Sequence, residues 1–288
     1  MKPEFLASRS LPKKLLSTLL VGSYGAWSRL LPDRYQAYEC PGGQIFLNIR
    51  ESPMMLKRAV WRFERHKFAL LEKVLQPGNT FIDVGCNKGD FALFAATLVG
   101  HTGRVFAVEP DNENCLWIGK SIELNHYQNI DLFPLALSDH EGEGTLHLGK
   151  KSGHHSLIGG VENLAGTTAA VPLKRLDTLV RESAGPQQVD VIKIDVEGAE
   201  RQVLDGARDT LESNPHLALF LDIHRQHGVD PAQIHQDLKG LGFHCYPETG
   251  PFTRALPDLA TTRSVFATRM PPDQLCDRLA NATLARCA

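Results

Sequence analysis

The sequence predicts an α/β fold: a doubly wound, mostly parallel sheet of seven strands, preceded by an N-terminal helical extension. Three observations predict it. Short apolar runs alternate with helix-length segments from Thr80 onward. Several of these runs, such as Val189–Ile194 and Leu217–Ile223, are apolar almost throughout, as in strands buried on both faces. One run passes straight into a turn with two glycines, at Phe81-Ile82-Asp83-Val84-Gly85-Cys86-Asn87-Lys88-Gly89, and then into a helix.

In chain order, Thr80–Val84 reads as the first strand and Lys88–Val99 as its helix. Arg104–Val108 is the second strand, followed by a helix over Asn112–Asn125. Ile130–Leu137 is the third strand, broken or bent at Pro134 because proline cannot donate to a ladder. Glu141–Val171, rich in Gly, Ser, Thr and His, reads as a hairpin or loop insertion with a short alternation at Thr145–Leu148. Arg175–Glu182 is a short helix, Val189–Ile194 a strand, Glu200–Glu212 a helix and Leu217–Ile223 a strand. Pro231–Leu241 is a helix with proline in its first turn. Phe243–Tyr246 and Ser264–Thr268 close the sheet, with Pro247–Thr262 a loop between them and Pro272–Ala285 a terminal helix. Residues 1–75 read as mostly helical, with a possible short strand at Gln44–Asn48. The domain division is therefore 1–75, 76–270 and 271–288.

The N-terminal stretch Leu15–Trp27, behind Lys13 and Lys14, is too short to span a bilayer, which takes about 20 apolar residues. It reads as an amphipathic helix packing on the domain or a partner, with peripheral membrane contact as the alternative. Thirty-one basic against 33 acidic residues leave a net charge of −2, so no global basic field favours nucleic acid. Six dispersed cysteines form no CxxC pair, which fits a reducing, cytoplasmic setting.

Chemistry concentrates at strand ends. Gly85 and Gly89 let the backbone turn sharply and approach a ligand, and the helix start beyond them favours an anionic group. The spacing is GxxxG, neither GxGxxG nor a Walker A loop, which argues against a dinucleotide or a nucleoside triphosphate. Asp83 ends its strand and is expected to hold the loop or reach a ligand ammonium. Glu109, in Val108-Glu109-Pro110, ends the next strand, where an acid can accept from both ribose hydroxyls of an adenosine. Ser138 and Asp139, after the third strand, are expected near the adenine. A ligand with a carboxylate, an ammonium and an adenosine matches S-adenosylmethionine. The cofactor set is thus Asp83, Gly85, Asn87, Gly89, Glu109, Pro110, Ser138 and Asp139.

Val191-Ile192-Lys193-Ile194-Asp195-Val196-Glu197-Gly198-Ala199-Glu200, together with Asp83-Val84-Gly85-Cys86-Asn87-Lys88-Gly89, Val108-Glu109-Pro110 and Leu176-Asp177, resembles the FkbM family of methyltransferases over about residues 64–245. The family's Ala is Cys86 here, and its Glu-Ile-His is Asp222-Ile223-His224. The resemblance implies the Rossmann-like class I methyltransferase fold and methyl transfer from S-adenosylmethionine to a hydroxyl of a sugar, glycolipid or other small acceptor.

On the acceptor side the candidates are Asp195, Glu197, Asp222 and His224, all at ends of apolar strands. Sequential strands are usually neighbours, which would gather these side chains. His224 has the pKa of a general base, oriented by a carboxylate; the other arrangement is a divalent cation held by Asp195 and Asp222. Lys193 pairs with an acid inside the sheet or snorkels. His154 and His155 sit in the insertion and are left outside the site. Two other classes remain open: a catalytically silent module of the same fold, and an NAD-dependent oxidoreductase, against which the missing GxGxxG argues.

Overall fold

The computed structural model describes residues 30, 33–50, 64–150, 153–161, 163–183 and 188–285. Leu15–Trp27 lies outside the described residues. The chain enters through a hairpin, β1 (Gln36–Cys40) and β2 (Gly43–Leu47), and a helix, α1 (Arg65–Val74). Then come β3 (Thr80–Val84), α2 (Asp90–Val99), β4 (Arg104–Val108), α3 (Asn112–Leu124) and β5 (Ile130–Phe133). A small sheet follows, made of β6 (Ala136–Leu137), β7 (Gly142–Gly149) and β8 (Leu164–Lys174). The main rhythm resumes with α4 (Leu176–Glu182), β9 (Val191–Ile194), α5 (Glu200–Asp205), α6 (Arg208–Ser213) and β10 (Ala218–Asp222). After a 3-10 turn at Arg225–His227 come α7 (Pro231–Gly240), β11 (His244–Pro247), β12 (Ser264–Thr268) and α8 (Pro272–Ala285).

The main sheet has the order β11-β12-β10-β9-β3-β4-β5, and only β12 runs antiparallel to its neighbours. The chain winds outward from β3 to β5, then returns to the other side of β3 as β9. The order therefore reverses between β3 and β9, and ligands of open α/β sheets bind at the carboxyl edge of such a reversal. Both faces are covered. Ile82, Val84, Phe106, Ile192 and Ile194 face one core, and Phe81, Val105, Val191 and Phe220 the other. Each fully buried side chain of this size contributes about 1.5–3 kcal/mol, so the sheet needs no polar alternation to be stable.

The expected strands and helices appear within a residue or two, and the differences have physical causes. Pro134 splits the expected third strand: Ile130–Phe133 stays in the main sheet, while Ala136–Leu137 joins the small sheet beside β8. The expected helix Glu200–Glu212 is two helices, because Gly206 lies against the Ser138 carbonyl oxygen, 2.0 Å from where a Cβ would stand. The second of them is anchored by Asp177, whose Oδ1 accepts from the Thr210 N–H and hydroxyl, each at 2.8 Å. Residues 36–47 form a hairpin where mostly helix was expected. Ile45 and Leu47 pack with Leu93 of α2, and Asn125 clamps the Gln44 backbone in both directions. Leu275 and Leu279 of α8 share a core with Phe68 and Leu71 of α1. Among the described residues, then, the boundaries expected at 75 and 271 do not separate independent cores. No described helix is long and apolar enough to cross a membrane.

Candidate active site

A cavity opens at the carboxyl edge, where β3, β4 and β9 end. Its floor is Val84, Gly85 and Asn87 after β3, Glu109 and Pro110 after β4, and Asp195, Val196, Glu197 and Ala199 after β9. Its remaining wall comes from Leu135–Leu137 and from the small sheet and its connection, through Leu146, Gly153, His155 and Leu157.

The turn after β3 is fixed by its backbone. The Gly85 and Cys86 N–H groups donate to the Val108 carbonyl at 3.0 and 3.1 Å, and the Gly89 N–H donates to Cys86 at 2.8 Å. Gly85 has φ +74°, and a Cβ there would stand 2.1 Å from the Asp195 carbonyl oxygen. The two loops that floor the cavity thus touch through a position only glycine can occupy. Gly89, φ +81°, starts α2 and faces Ile118; it shapes the turn and lies outside the cavity wall. The start of α2, expected to receive an anion, also lies outside that wall.

Glu109 is a staple as well as a wall. Its Oε2 accepts from the Asn87 N–H at 2.8 Å, and its Oε1 from the Asp111 N–H at 3.0 Å and Asn114 Nδ2 at 3.2 Å. A carboxylate has about four lone-pair sites, so one remains for a ligand hydroxyl and the expected pair of ribose bonds reduces to one. Burial raises its pKa to about 7, against the pull of these three donors. A hydroxyl donated to Glu109 favours the ionised form, so S-adenosylhomocysteine affinity should rise with pH up to about 7 and then level off. Binding near pH 6 should release protons, read by calorimetry in buffers of different ionisation enthalpy. Glu109→Gln should flatten this profile and weaken binding by about 1.5–3 kcal/mol; an unchanged pH profile would remove Glu109 from the ligand.

Asp83 does not reach the cavity. It is fully buried, with Lys193 Nζ 3.3 Å from Oδ1 and neither oxygen hydrogen-bonded in the described structure. Burial raises its pKa, opposed by Lys193. Lys193 is therefore an internal counter-charge and not a snorkelling lysine, with its ammonium also 3.6 Å from Asp195 and over the Phe91 ring. Ser138 and Asp139 lie outside the cavity too. The Ser138 hydroxyl donates to Asp139 Oδ1 at 3.1 Å, and Asp139 pairs with His140 at 2.6 Å; they serve the turn.

The acceptor-side candidates separate into two groups. His224 Nδ1 lies 2.5 Å from Glu200 Oε1, and its Nε2 lies 3.5 Å from Glu197 Oε2 and 3.7 Å from Asp195 Oδ1. Burial disfavours the imidazolium, but Glu200, Asp195 and Glu197 outweigh it and raise the His224 pKa to about 9. The carboxylates around it thus favour the charged ring, which stands against the general-base expectation. Glu197, held at φ +53°, has its pKa pushed up by burial to about 7, partly offset by His224. Burial would raise the Asp195 pKa as well, but Lys193, Lys67 and His224 lower it overall. Asp222 belongs elsewhere. Its carboxylate is engaged by the Lys67 ammonium and the Ser264 hydroxyl, a pairing that replaces its expected acceptor role.

Three residues outside the expected site set stand at or beside it: Glu200, Lys67 and His155. Glu200 is wholly buried beneath His224, and its Oε1 also accepts from the Gly198 N–H at 3.2 Å. His155 lines the cavity as an imidazole whose Nδ1 accepts from the Gly149 N–H at 2.9 Å, with its pKa lowered first by burial. The alternation Thr145–Leu148 was the one signal that the insertion is a structured wall.

A reversal in a parallel sheet, a glycine turn and an acid after the next strand define a nucleoside-type cofactor site. The Methyltransferase FkbM domain matches residues 83–245, more than half the chain. The protein belongs to the FkbM family of methyltransferases. It is 27% identical over 164 residues to the 2-O-methyltransferase NoeI of Sinorhizobium fredii, a match covering 52% of this chain and 65% of that protein's length. Similar solved structures include a SAM-dependent O-methyltransferase from Thermotoga maritima, 13% identical with a TM-score of 0.40, covering 82% of this chain and 77% of that one. Another is an rRNA methylase from Streptococcus thermophilus, 14% identical with a TM-score of 0.38, covering 71% and 92%.

The donors around the cavity fit S-adenosylmethionine. Apolar walls at Leu135, Leu137, Leu146 and Leu157 suit an adenine, and Glu109 keeps one acceptor position for a ribose hydroxyl. Asp195 and Glu197 offer negative charge toward a sulfonium and an ammonium.

Proposed function

We propose that this methyltransferase acts on a hydroxyl oxygen of a sugar or related small acceptor, placed between Asp195, Glu197 and His224. The observation that carries this reading is that Asp195 and Glu197 wall the same cavity as Gly85 and Glu109, with His224 directly behind them. The relative NoeI, named a 2-O-methyltransferase, supports an oxygen acceptor.

The bound cofactor supplies a methyl group on a sulfonium, and transfer forms the O–C bond as the S–C bond breaks with its electron pair to sulfur. The chain's part is to orient the hydroxyl, take its proton and exclude water. Glu197 is suited to receive that proton, since its pKa of about 7 matches a base working near neutrality. The His224 imidazolium holds Asp195 and Glu197 in place while Glu200 fixes the ring.

The test is incubation with methyl-labelled S-adenosylmethionine and a panel of mono- and oligosaccharides, with the methylated position read by NMR. Label on oxygen in the parent, reduced by on the order of 10²–10⁴ in Glu197→Gln, is the expected result. Label on nitrogen or carbon alone, or an unaffected variant, would overturn the reading. Peripheral membrane contact through Leu15–Trp27 remains a proposal of its own, tested by vesicle co-sedimentation of the full chain and of one lacking residues 1–29.

A further inference from the structure

We propose that Asp195 Oδ1, Glu197 Oε2 and His224 Nε2 form a divalent-cation site, suited best to Mn²⁺, at the acceptor end of the cavity. It deepens the function proposed above, and its acceptor role rests on that reading. With the ion bound, His224 gives up its Nε2 proton to solvent and ligates as a neutral imidazole, and the ion takes over from the imidazolium in holding the two carboxylates. Glu197 binds through Oε2 and keeps Oε1 for the acceptor proton. The ion site itself rests on geometry.

The three donor atoms lie within 4.8 Å of one another. His224 Nε2 stands 3.5 and 3.7 Å from the two carboxylate oxygens, too far for a hydrogen bond. Two ligands held at roughly 2.1–2.2 Å on one ion stand roughly 3.0–3.6 Å apart. The Glu197 spacing falls within that range and the Asp195 spacing just beyond it, so a small inward shift lets the three atoms share an ion.

The second observation lies behind the ring. Glu200, wholly buried, takes His224 Nδ1 at 2.5 Å and so aims Nε2 outward between the carboxylates. Its other oxygen, Oε2, has no hydrogen-bond partner among the described residues. A buried carboxylate on the far nitrogen of a histidine is the outer partner that orients metal-ligating imidazoles. Three carboxylates thus face the His224 ring, with Lys193 reaching only Asp195 among them, so positive charge placed between Glu197 and Asp195 is favoured.

Two carboxylates and one imidazole are a mixed hard donor set. Mg²⁺ prefers oxygen and water, whereas Mn²⁺ accepts imidazole readily alongside carboxylate. A neighbouring group, Glu64, Asp195 and Asp222, is also compact, but Lys67 Nζ sits 3.6 Å from Glu64 and against Asp222. The protein's own cation fills that space, so the ion expected between Asp195 and Asp222 moves to the His224 side.

The experiment is a Mn²⁺ titration of the full-length, EDTA-stripped protein at pH 7.5, with free ion read by electron paramagnetic resonance. S-adenosylhomocysteine affinity is measured on the same samples by calorimetry. One Mn²⁺ per chain is expected, with affinity lowered on the order of 100-fold or more in His224→Gln and Glu197→Gln, and about 10- to 100-fold in Glu200→Gln. Parental far-UV circular dichroism and cooperative thermal melts show the variants are folded. No stoichiometric Mn²⁺ uptake by the parent, or parental affinity in His224→Gln and Glu197→Gln, overturns the site. Mn²⁺ uptake without any S-adenosylhomocysteine binding would instead overturn the cofactor reading and leave the ion site standing.

Discussion

Gly85→Ala is expected to abolish measurable S-adenosylhomocysteine binding and to lower the thermal midpoint. The position has φ +74°, where a residue with a Cβ is strained by roughly 1–2 kcal/mol. Sterics add more. The new methyl would stand 2.1 Å from the Asp195 carbonyl oxygen, a backbone atom that cannot rotate away. The residue carrying it is tied to β3, since the Asp195 N–H donates to the Val84 carbonyl at 3.0 Å. Relief therefore requires the β3–α2 and β9–α5 loops to part, and these loops are the floor of the cavity. Gly119→Ala is the matched control. That glycine lies inside α3 with nothing within 4 Å of a Cβ, so alanine should stabilise by roughly 0.5–1 kcal/mol. Calorimetric titration and thermal melts of the two variants check both signs. Normal binding by Gly85→Ala would mean the two loops do not jointly form the site.

Lys193→Met is expected to destabilise the fold by about 3–5 kcal/mol, the usual result of leaving one member of a buried ion pair alone. The ammonium is 3.3 Å from Asp83 and 3.6 Å from Asp195, and Asp83 has no exposure at all. The variant should also invert an ordinary pH trend. Burial already raises the Asp83 pKa above its unfolded value, with Lys193 pulling it back; removing Lys193 raises it further. A carboxyl whose folded pKa is the higher one folds best protonated, so its contribution is favourable at low pH and is lost as pH rises. Urea melts should therefore show Lys193→Met closer to the parent at pH 5 than at pH 8. Adding Asp83→Asn should recover much of the loss at pH 8. Equal losses at both pH values would show that the lysine acts through packing alone.

Much of the fold could be read in the sequence because the central strands β3, β4, β9 and β10 are buried on both faces and most turns between them and their helices carry a glycine or proline. Val191–Ile194 and Ala218–Asp222 are neighbours, as consecutive strands usually are, so Asp195 and His224 do converge. Four things were not legible. The hairpin at residues 36–47 depends on docking against α2 and α3, a tertiary contact that local pattern does not encode. The role of Asp222 was hidden because its partner, Lys67, comes from α1, 155 residues earlier in the chain. The surroundings of His224 were hidden because Glu200 stands at a helix start in the sequence, whereas in the structure it is buried under the imidazole and favours its charged form. The fourth is the place of Ser138 and Asp139, which stand outside the cavity lining where Gly206 packs directly on the Ser138 carbonyl, while Leu135–Leu137 line the wall.

The central claim is that the cavity at the ends of β3, β4 and β9 holds S-adenosylmethionine. Isothermal titration of the full-length protein with S-adenosylhomocysteine, run beside NAD⁺, tests it most directly. The account predicts one S-adenosylhomocysteine per chain, competition by S-adenosylmethionine, loss in Gly85→Ala and no heat from NAD⁺. Saturable NAD⁺ binding with none for S-adenosylhomocysteine would contradict it.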